Sequence, residues 1–240
     1  MNLRNKFIAH RGLHDSKIIP ENSLLAFKNA VDKNYAIEFD VTISKDNQAI
    51  IFHDDDLFRL CNKKEKIEEL EYKVLKQLKL YDTNEHIPLF SEMLEIVDAK
   101  IPLIIEIKKH RNIGILENII VEYLKNYKGE YYICSFDKDI LFWFRKNFRN
   151  INRGLIFEFE SKKFFKYNKV LFLYKFYKTK PNYVSLDYNL YENSSIYNFC
   201  KKKNLPIFFW TIASQELNKK LLDKADGLIF EKIIPQNKSI

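Results

Sequence analysis

The chain has 240 residues and a mass of 28.9 kDa, 46% of it hydrophobic and only 11 residues Gly or Pro (5 and 6), which supports a packed core and excludes disordered and collagen-like classes. Three scattered cysteines, Cys61, Cys134 and Cys200, are too few for a disulfide framework or a zinc cluster and fit a reducing, cytoplasmic setting. The formal net charge of +8 rests mostly on Lys, while Arg, the residue suited to base and phosphate readout, is scarce, so no nucleic-acid partner is expected.

No run approaches the roughly 18 consecutive apolar residues that span a bilayer, and the first seven residues hold no apolar leader. The expectation is a soluble protein with no stable membrane anchor; the oligomeric state is not legible. In chain order, strand patterns fall at 7–10, 37–43, 50–53, 103–107, 131–135, 155–159, 183–187, 207–212 and 228–231. Helical patterns lie between them at 23–34, 67–80, 91–97, 113–125, 138–148, 164–176, 194–203 and 215–223. Ser91, Asp137 and Asn193 stand where helix caps belong. Such alternation builds βα units on a parallel sheet, and at this length the expected α/β architecture is a TIM (β/α)8 barrel, one domain over 1–240. A doubly wound sheet is the alternative, although no Gly-rich fingerprint follows the first strand. Nine strand patterns compete for eight places, so one is an extra or edge element.

The chemistry is carried by charged residues on strands. Glu38 and Asp40 lie two apart in Ile37-Glu-Phe-Asp-Val41 and therefore share a face, as do Glu106 and Lys108 in Ile104-Ile-Glu-Ile-Lys108. Strand ends also present His10-Arg-Gly12 and His53-Asp54. The carboxyl ends of barrel strands converge on one mouth, which would gather Glu38, Asp40 and Glu106. Three carboxylates in one pocket repel unless protons or a cation neutralise them, and all-oxygen ligands select Mg2+ or Ca2+. The competing reading makes each acid half of a structural salt bridge. Beside a metal, His10 and His53 have the chemistry of a general acid/base pair, and Arg11 and Lys108 suit an anionic group. The residues read alone reach metal-assisted phosphoryl chemistry on a phosphoester.

The strings Ile8-Ala-His-Arg-Gly12, Pro20-Glu-Asn-Ser-Leu-Leu-Ala-Phe27, Ile37-Glu-Phe-Asp-Val41, Lys45-Asp46, Phe52-His-Asp54, Ile87-Pro88-Leu89 and Ile105-Glu-Ile-Lys108 stand in an order and spacing that resembles the glycerophosphodiester phosphodiesterases. The resemblance is dense over 7–108, with later echoes at Cys134-Ser-Phe136, Phe209-Trp-Thr-Ile212 and Ala225-Asp-Gly-Leu-Ile229. It implies a TIM barrel, metal ligands Glu38, Asp40 and Glu106, an acid/base pair His10 and His53, and a phosphate held by Arg11 and Lys108. It also implies a small-molecule glycerophosphodiester substrate, attack by its neighbouring hydroxyl, and release of glycerol 3-phosphate and an alcohol. A lysophospholipase D type activity and a non-catalytic binder of a phosphorylated ligand are the alternatives.

Asn22 reads as a helix cap and Glu21 as a supporting acid, with Asp54, Asp55 and Asp56 capping a turn or backing a ligand. Trp210 is expected either as an apolar wall for the glycerol or as barrel packing. His14, His86 and His110 are expected on the surface, and Phe142, Trp143, Phe144, Phe164, Phe165, Phe172 and Phe176 in the core rather than on a lipid-facing rim. Two features depart from the family pattern. Phe230-Glu231 replaces a late Thr-Asp, so no role is carried onto that position, and the stretch 54–87 is short enough to leave the mouth open.

Overall fold

A computed structural model describes residues 6–15, 18–158, 165–191 and 194–237, and the side chains of 165–167 are left aside. The chain runs through β1 (Phe7–His10), α1 (Leu24–Asp32), β2 (Ala36–Ile43), β3 (Ala49–Ile51), α2 (Phe58–Cys61), α3 (Tyr72–Leu75) and α4 (Phe90–Val97). It continues with β4 (Leu103–Ile107), α5 (Ile115–Leu124), β5 (Tyr131–Ser135), α6 (Lys138–Asn147), β6 (Arg153–Phe157) and α7 (Phe165–Thr179). The last elements are β7 (Tyr183–Asp187), α8 (Ser195–Lys202), β8 (Ile207–Ile212), α9 (Gln215–Leu221) and β9 (Gly227–Phe230).

Eight strands pair in parallel in the order β1-β9-β8-β7-β6-β5-β4-β2, and β1 pairs with β2 to close the ring. The expected (β/α)8 barrel is therefore present. Along each strand alternate residues point inward. Ile8, Ala36, Ile104, Tyr132, Ile156, Tyr183, Phe208 and Ile229 pack the barrel floor, while their neighbours face the helices in a larger outer core. Gly154 is required on this floor, because a Cβ there would stand 2.2 Å from Tyr183 Cζ.

The ninth strand pattern is resolved by β3, which pairs antiparallel to β2 across the 44–48 turn. So short a connection permits a hairpin and forbids a parallel crossover. β2 overshoots the mouth, and β3 brings the chain back until Phe52 N–H donates to Asp40 O at 3.1 Å. The expected helix over 67–80 is not formed. A 3-10 turn at Ile67–Glu69 and the single turn α3 replace it, with Leu70 and Glu71 extended. Here tertiary bonds outcompete the helical ladder: Leu70 O accepts from Lys45 N–H, and Asp46 Oδ1 accepts from Tyr72 N–H. Leu57, Leu60, Ile67, Leu75 and Leu80 form a small core of their own beside the barrel.

Among the helix starts, Asp137 caps α6 as expected. Ser91 lies inside α4, whose cap position is Leu89 with Glu92 accepting from its N–H. Ser194 caps α8, and the expected cap Asn193 lies outside the described residues, as does Phe164. No helix among the described residues is long and apolar enough to cross a membrane.

Candidate active site

The site is built where β1, β2 and β4 reach the mouth. β1 ends at His10, and Arg11 (φ 55°) and Gly12 (φ 80°) turn the chain sharply toward α1. A Cβ on Gly12 would lie 2.9 Å from Ala26 C and Cβ, so the turn also needs the absence of a side chain. Left-handed backbone at a non-glycine residue is uncommon, and at Arg11 it aims the N–H at Glu38 Oε2, 3.3 Å away.

Strand register gathers the acids. His10 is the ladder partner of Glu38, and Asp40 is that of Glu106. Glu38, Asp40 and Glu106 are all buried, and one carboxylate oxygen from each lies within 4.8 Å of the others. Lys108 Nζ stands 2.8 Å from Glu106 Oε1 and 3.4 Å from Asp40 Oδ1, and Arg11 Nε is 3.3 Å from Asp40 Oδ2. The three carboxyls respond differently. Burial, then Asp40 and Glu106, push Glu38 well above the usual carboxylate range. Burial raises Glu106 too, although Lys108 opposes it. At Asp40 burial is outweighed by Lys108, Arg11, His53 and Asn22, which hold the carboxyl well below its ordinary value. An all-oxygen donor set this compact, with two of its acids destabilised as anions, fits a hard divalent cation.

Each histidine is backed by a carboxylate. His10 Nδ1 lies 2.9 Å from Glu231 Oε2, while its Nε2 is 3.9 Å from Glu38 Oε2. Burial lowers the His10 pKa despite Glu231, whereas the His10 bond carries Glu231 down to about 2. Near neutral pH the contact is thus a neutral imidazole N–H donating to an ionised carboxylate. His53, brought down by the hairpin rather than standing at the end of a barrel strand, has its Nδ1 2.6 Å from Asp54 Oδ1. Arg59 of α2 clamps Asp54 at 2.7 Å and Glu21 at 2.7 Å, and Glu21 reaches back to Arg11 Nη1 at 2.6 Å.

A cavity of about 460 Å³ opens over these groups, lined by His10, Arg11, Glu38, His53 and Glu106 on one side. Phe136, Glu158, Lys175 and Trp210 line the other. Trp210 is half-buried against Phe136 (ring centroids 5.6 Å apart, edge to face), and its indole Nε1 is buried without a hydrogen-bond partner. A larger groove of about 820 Å³ lies outside the barrel between α1 and the segment after β9. It shares Glu231 with the site but none of the three clustered acids, so the chemistry belongs to the smaller cavity.

All eight singled-out residues, His10, Arg11, Glu38, Asp40, His53, Glu106, Lys108 and Trp210, are thus brought to one mouth. Some supporting expectations need correction. Asn22 does not cap α1, because Ser23 does, accepting from Ala26 N–H. Asn22 instead donates to Asp40 Oδ2 at 2.9 Å from a left-handed backbone (φ 57°), a cross-chain contact no local pattern displays. His110 is not on the surface: it is buried with Nε2 3.3 Å from Oε1 of Glu117, which stands in the first turn of α5. His14 is half-buried with both ring nitrogens shielded, and only His86 is exposed as expected. Phe144 and Phe172 are core residues, and Phe142, Trp143 and Phe176 are half-buried, while Phe164 and the Phe165 side chain are not described. Glu231 was missed altogether. Its one signal was a carboxylate closing the last strand pattern, at the same level as His10 on the neighbouring strand.

A closed α/β barrel with an acid cluster and two carboxylate-backed histidines at its carboxyl-end mouth has the parts of a general acid/base enzyme. Residues 10–234 match the glycerophosphoryl diester phosphodiesterase family. A glycerophosphodiester phosphodiesterase of Caldanaerobacter subterraneus subsp. tengcongensis is 28% identical over 243 residues, covering 95% of this chain and 94% of that one. Among solved structures, an Oleispira antarctica phosphodiesterase in complex with the product sn-glycerol-3-phosphate superposes with a TM-score of 0.81 at 22% identity, covering 95% and 92% of the chains. The Thermotoga maritima glycerophosphodiester phosphodiesterase gives 0.75 at 26% identity, covering 96% of each. The chain belongs to the glycerophosphoryl diester phosphodiesterase family and with it to the phosphoric diester hydrolases.

Proposed function

We propose that the protein hydrolyses small glycerophosphodiesters to glycerol 3-phosphate and an alcohol, working in the cytoplasm with Mg2+ or Ca2+. The reading is carried by one observation: three clustered acids, two carboxylate-backed histidines and two cations share a single cavity mouth. Glu38, Asp40 and Glu106 would hold the cation, which when bound polarises a phosphoryl oxygen and stabilises the charge that develops there. Arg11 and Lys108 add fixed positive charge for the phosphate. The buried indole N–H of Trp210 offers a donor to a substrate oxygen, with its ring as a wall for the glycerol.

His10 acts as the first base. Its Nδ1 proton is committed to Glu231, which leaves the Nε2 lone pair on the cavity side, and burial favours the neutral ring. Nε2 takes the proton of the glycerol 2-hydroxyl as that oxygen attacks phosphorus, a tethered attack with a large effective molarity. The bond from phosphorus to the alcohol breaks, and His53, its Nδ1 held by Asp54, gives the departing oxygen a proton. Water then opens the cyclic phosphate with the roles exchanged: His53 takes the water proton and His10 returns one to the glycerol oxygen.

The test is release of glycerol 3-phosphate from glycerophosphocholine and glycerophosphoethanolamine with Mg2+, with Ca2+ and with EDTA. Cation-dependent release is expected, and Glu38→Gln, Glu106→Gln or His53→Ala should lower it by at least about 10²-fold with the fold intact. Binding without turnover under every ion refutes the hydrolytic reading, and turnover of lysophospholipid micelles alone replaces the substrate class by a lipid with one acyl chain.

A further inference from the structure

α7 carries apolar side chains on two opposite sides. Phe172 faces inward, fully buried against Phe157 with ring centroids 5.3 Å apart. Outward stand Val170, Tyr174 and Tyr177, exposed by 66%, 54% and 57%. Their i, i+4, i+7 spacing sets them within an arc of about 60° on one helix face. Large apolar side chains aligned on solvent call for an occupant.

The surroundings define its charge. The α7 sequence holds no acidic residue, and Lys169 and Lys178 flank the stripe on either side. On the adjoining α6, Lys146 stands over the Phe142 ring at 5.9 Å, and Lys178 of α7 approaches the same ring at 5.4 Å. The acid facing this surface from α6 is Asp139, which Lys138 and Lys178 both engage. A second copy of the chain laid on this face would set like charges against each other. A surface of anionic lipid headgroups matches it: tyrosines combine an apolar ring with a polar tip suited to the headgroup level, and lysines extend their ammonium groups to phosphates.

The face also adjoins the mouth. Lys175, about 100° round the helix from Tyr174, turns inward over the Phe157 ring at 5.7 Å, lines the catalytic cavity and donates to Phe136 O at 3.3 Å, so one helix carries both the outer stripe and a wall of the cavity. We propose that the α6–α7 face docks the protein on an anionic lipid surface, with the mouth opening beside the contact. The docking is peripheral and reversible, since three side chains and a few lysines bury little apolar area. It goes beyond the reaction assigned above and stands whatever the substrate is.

The test is co-sedimentation of the full chain with phosphatidylcholine vesicles, with and without phosphatidylglycerol, at low and raised salt. Wild type is expected to bind only the anionic vesicles, and less at raised salt. A Val170→Ser/Tyr174→Ser/Tyr177→Ser variant and a Lys146→Glu/Lys169→Glu variant should each lose at least about tenfold in partitioning. A Lys201→Glu/Lys202→Glu variant on the exposed end of α8 is the charge control and should bind nearly as wild type. Melting curves and turnover of a soluble glycerophosphodiester check that the face variants remain folded. Three results overturn the proposal: no binding to anionic vesicles, face variants that bind like wild type, or a control that loses as much as they do. A wild-type dimer that the serine variant splits into monomers would assign the face to self-association instead.

Discussion

Replacing Glu231 tests the proposed step in which His10 accepts a proton. In the wild type Glu231 Oε2 accepts from His10 Nδ1 at 2.9 Å, and its pKa of about 2 keeps it ionised at any pH where the enzyme is assayed. The same carboxylate has Lys232 Nζ 3.0 Å from Oε1, so its charge is steadied from both sides. When His10 becomes an imidazolium in the transition state, the bond strengthens from neutral-to-charged toward a full ion pair. The gain in the transition state is bounded by the worth of a hydrogen bond to a charged group, about 1.5–3 kcal/mol, so at 1.36 kcal/mol per decade its loss costs at most about 10- to 150-fold in rate. Glu231→Ala should show that loss mostly in kcat. Glu231→Gln, which keeps an acceptor but not the charge, should fall between Ala and wild type.

The pH profile carries a second, independent signature. Glu231 raises the His10 pKa against the larger lowering by burial. The base works only when neutral, so activity falls as pH drops through its pKa. Without Glu231 that pKa falls further, and the acid limb of kcat/KM must move to lower pH while the plateau drops. The assay is the pH dependence of glycerol 3-phosphate release at saturating cation, with a melting curve for each variant. An Ala variant whose plateau stays within about twofold of wild type, with its acid limb unmoved, refutes the assignment of His10 as the base positioned by Glu231.

Asn22→Ala removes the amide that donates to Asp40 Oδ2 and leaves a side chain less suited to φ 57°; cation affinity by calorimetry should fall about 10- to 100-fold, and an unchanged affinity would detach Asn22 from the site. His110 is buried, which by itself lowers its pKa, but Glu117 and the Lys108 carbonyl outweigh burial and raise it. A raised folded pKa stabilises the native state fully below the unfolded value near 6.5 and loses that contribution as pH rises through the folded value. Urea unfolding should therefore show wild type losing more stability than His110→Gln between mildly acidic and mildly alkaline pH, and parallel curves would remove the pair as the cause. Gly154→Ala puts a Cβ 2.2 Å from Tyr183 Cζ, in a ring that is fully buried with its hydroxyl on Ile133 O at 3.1 Å. It should cost about 3 kcal/mol, and a loss below about 1 kcal/mol would mean the ring can shift aside.

The parts of this protein legible in sequence are those with short-range periodicity. Inward and outward positions alternate along every barrel strand, so Glu38 with Asp40 and Glu106 with Lys108 declared a shared face from spacing alone. The residues that escaped are held by partners far along the chain. Glu231 lies 221 residues from His10, and Asn22 reaches from the β1–α1 turn to Asp40 while Ser23 takes the cap expected of Asn22. His53 was recognised as a site residue for an incomplete reason: its approach to the acids depends on β2 overshooting the mouth and β3 folding back, a tertiary event. The failure over 67–80 has the same root, since bonds to the β2–β3 turn decide the backbone there rather than helix propensity.

Charge counting at the mouth favours the proposed catalytic centre over a set of structural ion pairs. Salt bridges that exist only to hold strands together match acids and bases closely, because a surplus buried charge is costly. Among the described residues Glu231 is matched by Lys232, but the ion pairs of Glu21, Glu38, Asp40, Asp54 and Glu106 draw on three permanent cations, Arg11, Arg59 and Lys108. Five less three leaves two negative charges in surplus. The surplus concentrates on Glu38 and Glu106, the two acids whose ionised forms the surroundings disfavour, rather than spreading to the rim where water could carry it. Arg59 meanwhile joins the segment after β3 to Glu21, and Glu21 to Arg11, so that segment is tethered to the same balance. A fold that served packing alone gains nothing from burying two acids at the end of its barrel that its own cations leave uncompensated when ionised. One divalent cation would match the charge of both.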